Sequence, residues 1–264
     1  MNIKKGKLIF WIAAAVILQS TVFAWDKVNH ANITRAAFEQ LTRKEQRMFG
    51  SAADSMIEHY SLNPDYHRAA VRQKNQARID FYEPYVALPL LQNIKQWHKN
   101  DDDNSEVCFY ITTKLMHHAV LNLQKGEPLE AAKYLGSLAH FIEDNACPVH
   151  VLPDKTIAQL LISPDYPQPM DIHRAVDRAV FTVNISGYEP QLLGKNLVET
   201  SEAIFFRFKD NRINARAQIV PLVQSMFTKD EAGVTKYGAV AAEPAARLFA
   251  DILHTVCTLT EEGR

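Results

Sequence analysis

The amino-acid sequence predicts an all-α fold, and three observations support that class. Apolar residues recur every three or four positions along most of the chain, which is the spacing of a helix face. Alternation of polar and apolar residues, the pattern of a half-buried strand, is scarce. Only 9 of the 264 residues are glycine, too few for a chain of many tight β-turns. We therefore expect a single-domain helical bundle over residues 25–264.

The chain begins with the three parts of a secretory signal peptide. Three lysines precede an uninterrupted apolar run over 8–18, and Val22 and Ala24 place small residues before the expected cleavage site. The run is shorter than the roughly 20 residues of a membrane-spanning helix; an uncleaved anchor is the alternative. We expect a signal peptide over 1–24, an exported protein that is periplasmic or extracellular, and Trp25 as the first mature residue.

Apolar spacing marks the helices of the mature chain in order. The spacing over 33–41 predicts a first helix that ends near Gly50. The same spacing over 115–123 predicts another helix, which ends at Gly126. A last helix is expected around 246–256.

A central helix is expected over 129–142. Its only charge after the first turn is Lys133, so most of its faces should be buried. Pro148 ends it. The prolines between 147 and 170 predict a long loop, and a further helix is expected over 171–183.

Composition excludes several classes of protein. The formal net charge is −1, and loss of the three leader lysines makes it −4, so no strongly basic surface for nucleic acid is indicated. With 47% hydrophobic and 22% charged residues, the chain is not disordered. The cysteines, Cys108, Cys147 and Cys257, are too few for a disulfide framework. Ten histidines are many for this length, and their positions suggest a function.

The central helix carries His140 and Asp144, which share a face because they are four residues apart. Cys147 and Pro148 then turn the chain, and His150 follows. A carboxylate is rarely buried without a partner because its desolvation costs several kcal/mol, and a metal ion would be such a partner. The alternative is a helix-capping aspartate beside ordinary core histidines.

A second pair, His173 and Asp177, has the same spacing. Histidine and aspartate four apart on one helix face suit zinc, although a surface ion pair is the commoner meaning of this pattern. Together with His150, the pair would make a three-ligand site with room for water or substrate.

The predicted mature N-terminus adds a third element. A free α-amine titrates near pH ~8, so the amine and carbonyl of Trp25 could chelate a metal ion while His30 adds an imidazole. Taken alone, His30 would be an ordinary solvated histidine.

In chain order, these parts resemble the zinc-dependent phospholipase C family and its relatives, the fungal zinc-dependent single-strand nucleases. Those proteins are all-α, exported, cleaved to expose an N-terminal tryptophan, and bind three zinc ions. The stretch from Tyr134 to His140 also resembles a helix of the phospholipases. The resemblance spans most of the mature chain. Its ligand order is matched here by Trp25, His30, His140, Asp144, His150, His173 and Asp177.

Two further family positions fall between 62 and 84. The family aspartate resembles Asp65. The family histidine precedes a Phe-Tyr-acid-Pro run, and here the residue before that run is Asp80. A carboxylate there would still bind zinc and would also suit a harder cation such as Mn²⁺ or Mg²⁺. Other candidates for this position are His67, His59 and Asp54.

The resemblance implies three metal positions. The first would be held by Asp65, Asp80, His140 and Asp144. The second would be held by Trp25, His30 and the shared Asp144. The third would be held by His150, His173 and Asp177. Adjacent zinc ions would generate hydroxide from water at neutral pH, and Asp65 would orient that water or accept its proton as the catalytic carboxylate.

The resemblance also implies a phosphodiester as substrate. We expect a phospholipase C that acts on phospholipids and makes transient contact with the membrane surface through its own loops, because no separate lipid-binding domain is present. The alternative is a nuclease acting on single-stranded nucleic acid. It is favoured by the short spacing from Trp25 to His30 and the long one from His150 to His173. A third hypothesis, motivated by Asp80, is a catalytically decayed, zinc-stabilised scaffold.

Overall fold

The computed structural model describes residues 25, 27–86, 105–152, 156–157, 176 and 179–263. Within 105–152, side chains are described from residue 109 onward. All regular elements in these ranges are helical, which confirms the all-α class. The predicted signal peptide over 1–24 and the predicted ligands His173 and Asp177 lie outside the described residues.

The first predicted helix is two helices in the structure. Helix α1 spans Lys27–Phe38 and α2 spans Arg43–Phe49. The break lies at Thr42, whose hydroxyl accepts a hydrogen bond from the backbone N–H of Glu45, while the Glu45 carboxylate accepts one from the Thr42 N–H. This capping box starts a new helix. Gly50 ends α2 with a φ of 52°, as its position predicted.

A run of short helices follows. Helix α3 spans Ala52–Glu58, and a 3-10 turn over Tyr60–Leu62 leads into α4, Asn63–Arg72. Helix α5 spans Gln76–Tyr82, and a second 3-10 turn covers Glu83–Tyr85. These elements carry Asp65 and Asp80, two of the carboxylates that were predicted to bind metal.

The two helices predicted in the middle of the chain are confirmed. Helix α6 spans Ser105–Gln124 and α7 spans Pro128–Ala146. Gly126 between them has a φ of 76°, a backbone conformation in which a glycine is favoured. The consecutive residues from Leu135 to Ala146 are all buried, so α7 is the central helix.

Two long helices complete the described chain. Helix α8 spans Leu197–Phe227 and α9 spans Glu231–Glu262. They contact each other, and both contact α7. The sequence predicted only the part of α9 around 246–256, and α8 was not predicted.

The predicted helix over 171–183 is wrong at its C-terminal end. From Ala179 to Val183 the backbone is not helical. Two asparagines of α1 bind its carbonyl groups: Asn29 donates to Ala179 O at 2.6 Å and Asn32 donates to Phe181 O at 3.0 Å. Carbonyls engaged by side chains are withdrawn from the hydrogen-bond ladder of a helix.

Most of the buried apolar side chains form one cluster, contributed mainly by α1 to α3 and α6 to α9. Helix α7 contacts α1, α6, α8 and α9, so its buried polar residues lie inside this core. Within the described ranges, none of the helices combines the length and apolar character needed to cross a bilayer.

Candidate metal centre

Three buried ligand groups meet where α1 contacts α7. His30 lies on α1, and His140 and Asp144 lie one turn apart on α7. Their ligand atoms are all within 4.8 Å of one another. The rings of His30 and His140 are stacked, with centroids 4.5 Å apart and planes 12° from parallel. Positions distant in sequence thus form one compact group.

The separations within this group fit a bound divalent ion. His140 Nε2 lies 3.4 Å from Asp144 Oδ2, and His30 Nε2 lies 3.7 Å from Asp144 Oδ1. Ligands bound at about 2.1 Å in a tetrahedron stand about 3.4 Å apart. Imidazole nitrogen and carboxylate oxygen are also donors that zinc accepts. The residues present therefore fit zinc or a similar transition ion.

The Asp144 carboxylate faces a third imidazole. His150 ends the 3-10 turn Pro148–His150 that follows α7, and its Nδ1 lies 3.6 Å from Asp144 Oδ2. One oxygen of Asp144 thus faces His30, and the other faces His140 and His150. A carboxylate with this arrangement can be shared between two ions.

His140 is oriented by the backbone. Its Nδ1–H donates to the carbonyl oxygen of Ser61 at 2.7 Å, which leaves Nε2 facing Asp144. Ser61 reaches His140 because the 3-10 turn approaches α7 closely at Gly136. A Cβ on Gly136 would lie 2.5 Å from the backbone carbonyl carbon of Tyr60, closer than real Cβ contacts.

His30 is oriented by a carboxylate that the sequence did not identify. Glu143 Oε2 accepts from His30 Nδ1 at 2.5 Å, and Glu143 Oε1 accepts from the Thr34 hydroxyl at 2.6 Å. All three residues are fully buried. The sequence signal for Glu143 was an acidic residue near the end of an otherwise apolar helix, next to the predicted ligand Asp144.

The electrostatics of the site favour a cation. Burial by itself would lower the pKa of His30, but the hydrogen bond and charge of Glu143, helped by Asp144 and Asp65, raise it from 6.5 to about 9. Burial would raise the pKa of Asp144, yet His140 and His150 hold it well below its usual range. A region that retains a proton this strongly has a negative potential, which also attracts metal ions.

Asp65 supplies a further buried carboxylate. It lies in the first turn of α4 and is 1% exposed. Its Oδ1 accepts from Arg68 Nη2 at 2.7 Å, whereas its Oδ2 has no hydrogen-bond partner among the described residues. Its charge contributes to the raised pKa of His30. A metal ion or bound water at Oδ2 would offset the cost of burying that oxygen.

Trp25 is buried and lies two residues before α1, the helix that carries His30. Its ring contacts Phe181 edge-to-face, with centroids 4.4 Å apart and planes 70° apart. Phe181 is held on α1 by Asn32. The first predicted mature residue is therefore fixed to the same helix as a candidate ligand.

Asp80 is not brought into the buried group, contrary to the sequence prediction. It is exposed on α5, and its Oδ1 accepts a hydrogen bond from Gln76 Nε2 at 2.6 Å. The physical reason is that Asp80 lies on the solvent face of a helix with no buried residue. His67, an alternative ligand, is buried on α4, and among the described residues its Nε2 has no hydrogen-bond partner.

The third predicted metal position is described only in part. His150 was expected to act with His173 and Asp177; among the described residues it lies 3.6 Å from Asp144. The other two residues lie outside the described ranges, so the grouping of the three stays a prediction.

The comparisons with known proteins add no relative. No protein-family model, curated protein or solved structure matches this chain.

Proposed function

We propose that the protein is an exported, metal-dependent phosphodiester hydrolase of the phospholipase C type. The observation that carries this proposal is the buried Asp144 carboxylate, which lies between three imidazoles at separations that suit a bound ion. A buried acid surrounded by histidines is costly as a purely structural feature and is common at metal sites. The zinc phospholipase family supplies the reaction class by resemblance.

The residues have distinct roles in this proposal. His30, His140 and Asp144 would hold a metal ion, and Asp144 could also serve a neighbouring one. Bound divalent ions would supply an activated water and neutralise phosphate charge. Asp65 has one buried oxygen beyond its ion pair with Arg68, and this oxygen orients the attacking water or accepts its proton. The surrounding buried side chains exclude bulk solvent from the site.

A surface beside Asp65 supports a phospholipid substrate. We define the aromatic surface as Tyr66, Phe81, Tyr82 and Tyr85. Tyr66 follows Asp65 on α4, its ring contacts Tyr82, and the Phe81 ring contacts those of Tyr82 and Tyr85. Phe81 is 53% exposed. Aromatic rings at a surface are typical of contact with a bilayer interface.

Two of the four rings in this surface also lie beside cations. The Arg78 guanidinium lies 5.9 Å from the centre of the Tyr82 ring, and Lys133 Nζ lies 5.1 Å from that of Tyr85. Surfaces that bind single-stranded nucleic acid combine aromatic rings with basic side chains. The nuclease therefore remains the alternative.

The deciding experiment uses one preparation of mature protein. Zinc content is measured, and hydrolysis of phosphatidylcholine vesicles is compared with hydrolysis of single-stranded DNA and RNA. Release of phosphocholine without nucleotides is the expected result. Nucleotide release alone would establish the nuclease. Stoichiometric zinc with no hydrolysis of any ester would leave the decayed scaffold.

Export is a separate part of the proposal. It rests on the signal-peptide pattern over 1–24. Fractionation of cells that express the full chain, with N-terminal sequencing of the product, tests it. We expect a mature chain that starts at Trp25 outside the cytoplasm, and a cytoplasmic product that retains the leader would refute it.

A further inference from the structure

Glu143 and Asp144 are adjacent on α7 and contact opposite nitrogens of the same ring. Glu143 Oε2 is 2.5 Å from His30 Nδ1, and Asp144 Oδ1 is 3.7 Å from His30 Nε2. The first distance is a hydrogen bond and the second is longer than one. The two carboxylates therefore have different relations to His30: one binds it directly, and the other faces it at a distance that can accommodate an ion.

Both oxygens of Glu143 are already engaged. Thr34, one helical turn after His30 on α1, donates its hydroxyl to Oε1 at 2.6 Å. Two donors from one face of α1 thus bind a single carboxylate of α7. Because each Glu143 oxygen has a short hydrogen bond from a buried partner, Glu143 is better suited to orient a ligand than to bind an ion.

We propose that Glu143 is the positioning residue for His30: it accepts the Nδ1 hydrogen, fixes the ring, and leaves Nε2 to bind metal beside Asp144. This inference rests on the proposed metal-dependent function. A carboxylate behind a ligating imidazole also makes the imidazole a stronger donor. His140 is held by the neutral carbonyl of Ser61 instead, so the imidazoles of His30 and His140 are supported differently.

The test removes the charge of Glu143 and then its hydroxyl partner. The variants are Glu143→Gln and Thr34→Val, and the control is Glu130→Gln, which makes the same chemical change on the partly exposed start of α7. Zinc affinity is measured by competition with a chelator, and folding is checked by circular dichroism. We expect a loss of about 10- to 100-fold in Glu143→Gln, a smaller loss in Thr34→Val, and none in the control.

A second readout does not require metal. In protein labelled with ¹⁵N-histidine, the His30 Nδ1 proton should be shifted downfield and protected from exchange, with or without zinc. In Glu143→Gln, this signal should weaken while that of His140 stays unchanged.

The two proposals fail in different ways. A wild-type protein that takes up no zinc would overturn the metal-dependent function and, with it, the role of Glu143. Normal zinc uptake by the wild type, with unchanged affinity and an unchanged His30 signal in Glu143→Gln, would overturn this inference alone.

Discussion

The Asp144 side chain lies inside the core, and histidines face both of its oxygens. Burial would raise its pKa, and His140 and His150 lower it. Imidazoles can do this when protonated, and a bound cation can do the same with the imidazoles neutral. A change at Asp144 would therefore affect all three imidazoles around it.

Asp144→Asn tests whether the carboxylate is shared. The amide keeps the shape and removes the charge, so more than one ion should be lost, with zinc affinity falling by more than the roughly 100-fold seen for residues that only orient ligands. Elemental analysis after dialysis measures this. Asp210→Asn, on the exposed side of α8, is the control. Full metal content in Asp144→Asn would contradict the assignment.

Phe81→Ser tests the aromatic surface. Removing an exposed ring deletes interfacial contact without opening a cavity in the core, so vesicle binding and hydrolysis of vesicles should fall several-fold while a soluble short-chain substrate is hydrolysed normally. Co-sedimentation with phosphatidylcholine vesicles gives the binding. Phe206→Ser removes an equally exposed ring from α8 (56% against 53% exposed) and should have no effect. Equal losses in both variants would argue against a specific surface.

At the level of single residues, sequence spacing was informative only within a helix. It placed His140 and Asp144 on one face because four residues make about one turn. Asp80 was assigned as a metal ligand because it precedes the Phe-Tyr-acid-Pro motif. A short motif of this kind does not show which face of a helix is buried. Glu143 was not identified because its partners, His30 and Thr34, are on another helix.

The contact between α7 and the 3-10 turn before α4 is the element-level feature that the site depends on. It is possible because residue 136 has no side chain, and it brings the Ser61 carbonyl to His140. The geometry of a ligand is thus set by a glycine one helical turn away.

Gly136→Ala should therefore destabilise the protein and weaken metal binding together. The new methyl group would meet the Tyr60 backbone, and overpacking of this kind costs about 1–3 kcal/mol or more. Gly263→Ala is the control, because its Cβ would clash only with the flexible end of the Gln124 side chain and would otherwise make an ordinary contact with the Leu259 carbonyl oxygen. Thermal unfolding and zinc titration measure the two effects. Lower stability with unchanged zinc affinity would show that the close packing at Gly136 stabilises the fold but does not position His140.

The cap of α2 gives a pH prediction. Burial would raise the pKa of Glu45, but hydrogen bonds with Thr42 and His254 lower it below 4.5. A carboxyl with a lower pKa in the folded state stabilises the protein above its unfolded pKa, and this stability is lost as pH falls through the folded value. Glu45→Gln should thus lower the melting temperature at pH 6 and have progressively less effect below pH ~4.5. A loss of melting temperature in Glu45→Gln that becomes larger as the pH falls would contradict this prediction.

The sequence predicted some helices and not others for physical reasons. Helix α7 was predicted correctly because its nearly continuous apolar segment favours burial on all faces. Helix α8 was missed because charged residues lie along its exposed side and blur the apolar spacing. The break between α1 and α2 is marked by the capping box of Thr42 and Glu45. It was missed because apolar spacing alone does not detect capping residues.

For the whole molecule, the candidate metal centre connects α1, α7 and the turns that follow α3 and α7. A bound ion would therefore stabilise the entire core, since an unfolded chain holds no such site. Removing metal with a chelator should lower the melting temperature by about 10 °C, as expected for a ligand present at about 1,000 times its Kd. Readdition of zinc should restore it. A melting temperature indifferent to chelator and zinc would rule out a resident ion here.

The separation of the site's residues along the chain has a consequence for biosynthesis. His30 and Glu143 are 113 residues apart, so the two cannot meet until the polypeptide has been made past its middle and has folded. A chain that passes through a translocation channel in extended form has no assembled metal-binding site. Such a protein would acquire its ions from the compartment in which it folds, and the supply of zinc there would decide how much of it becomes active.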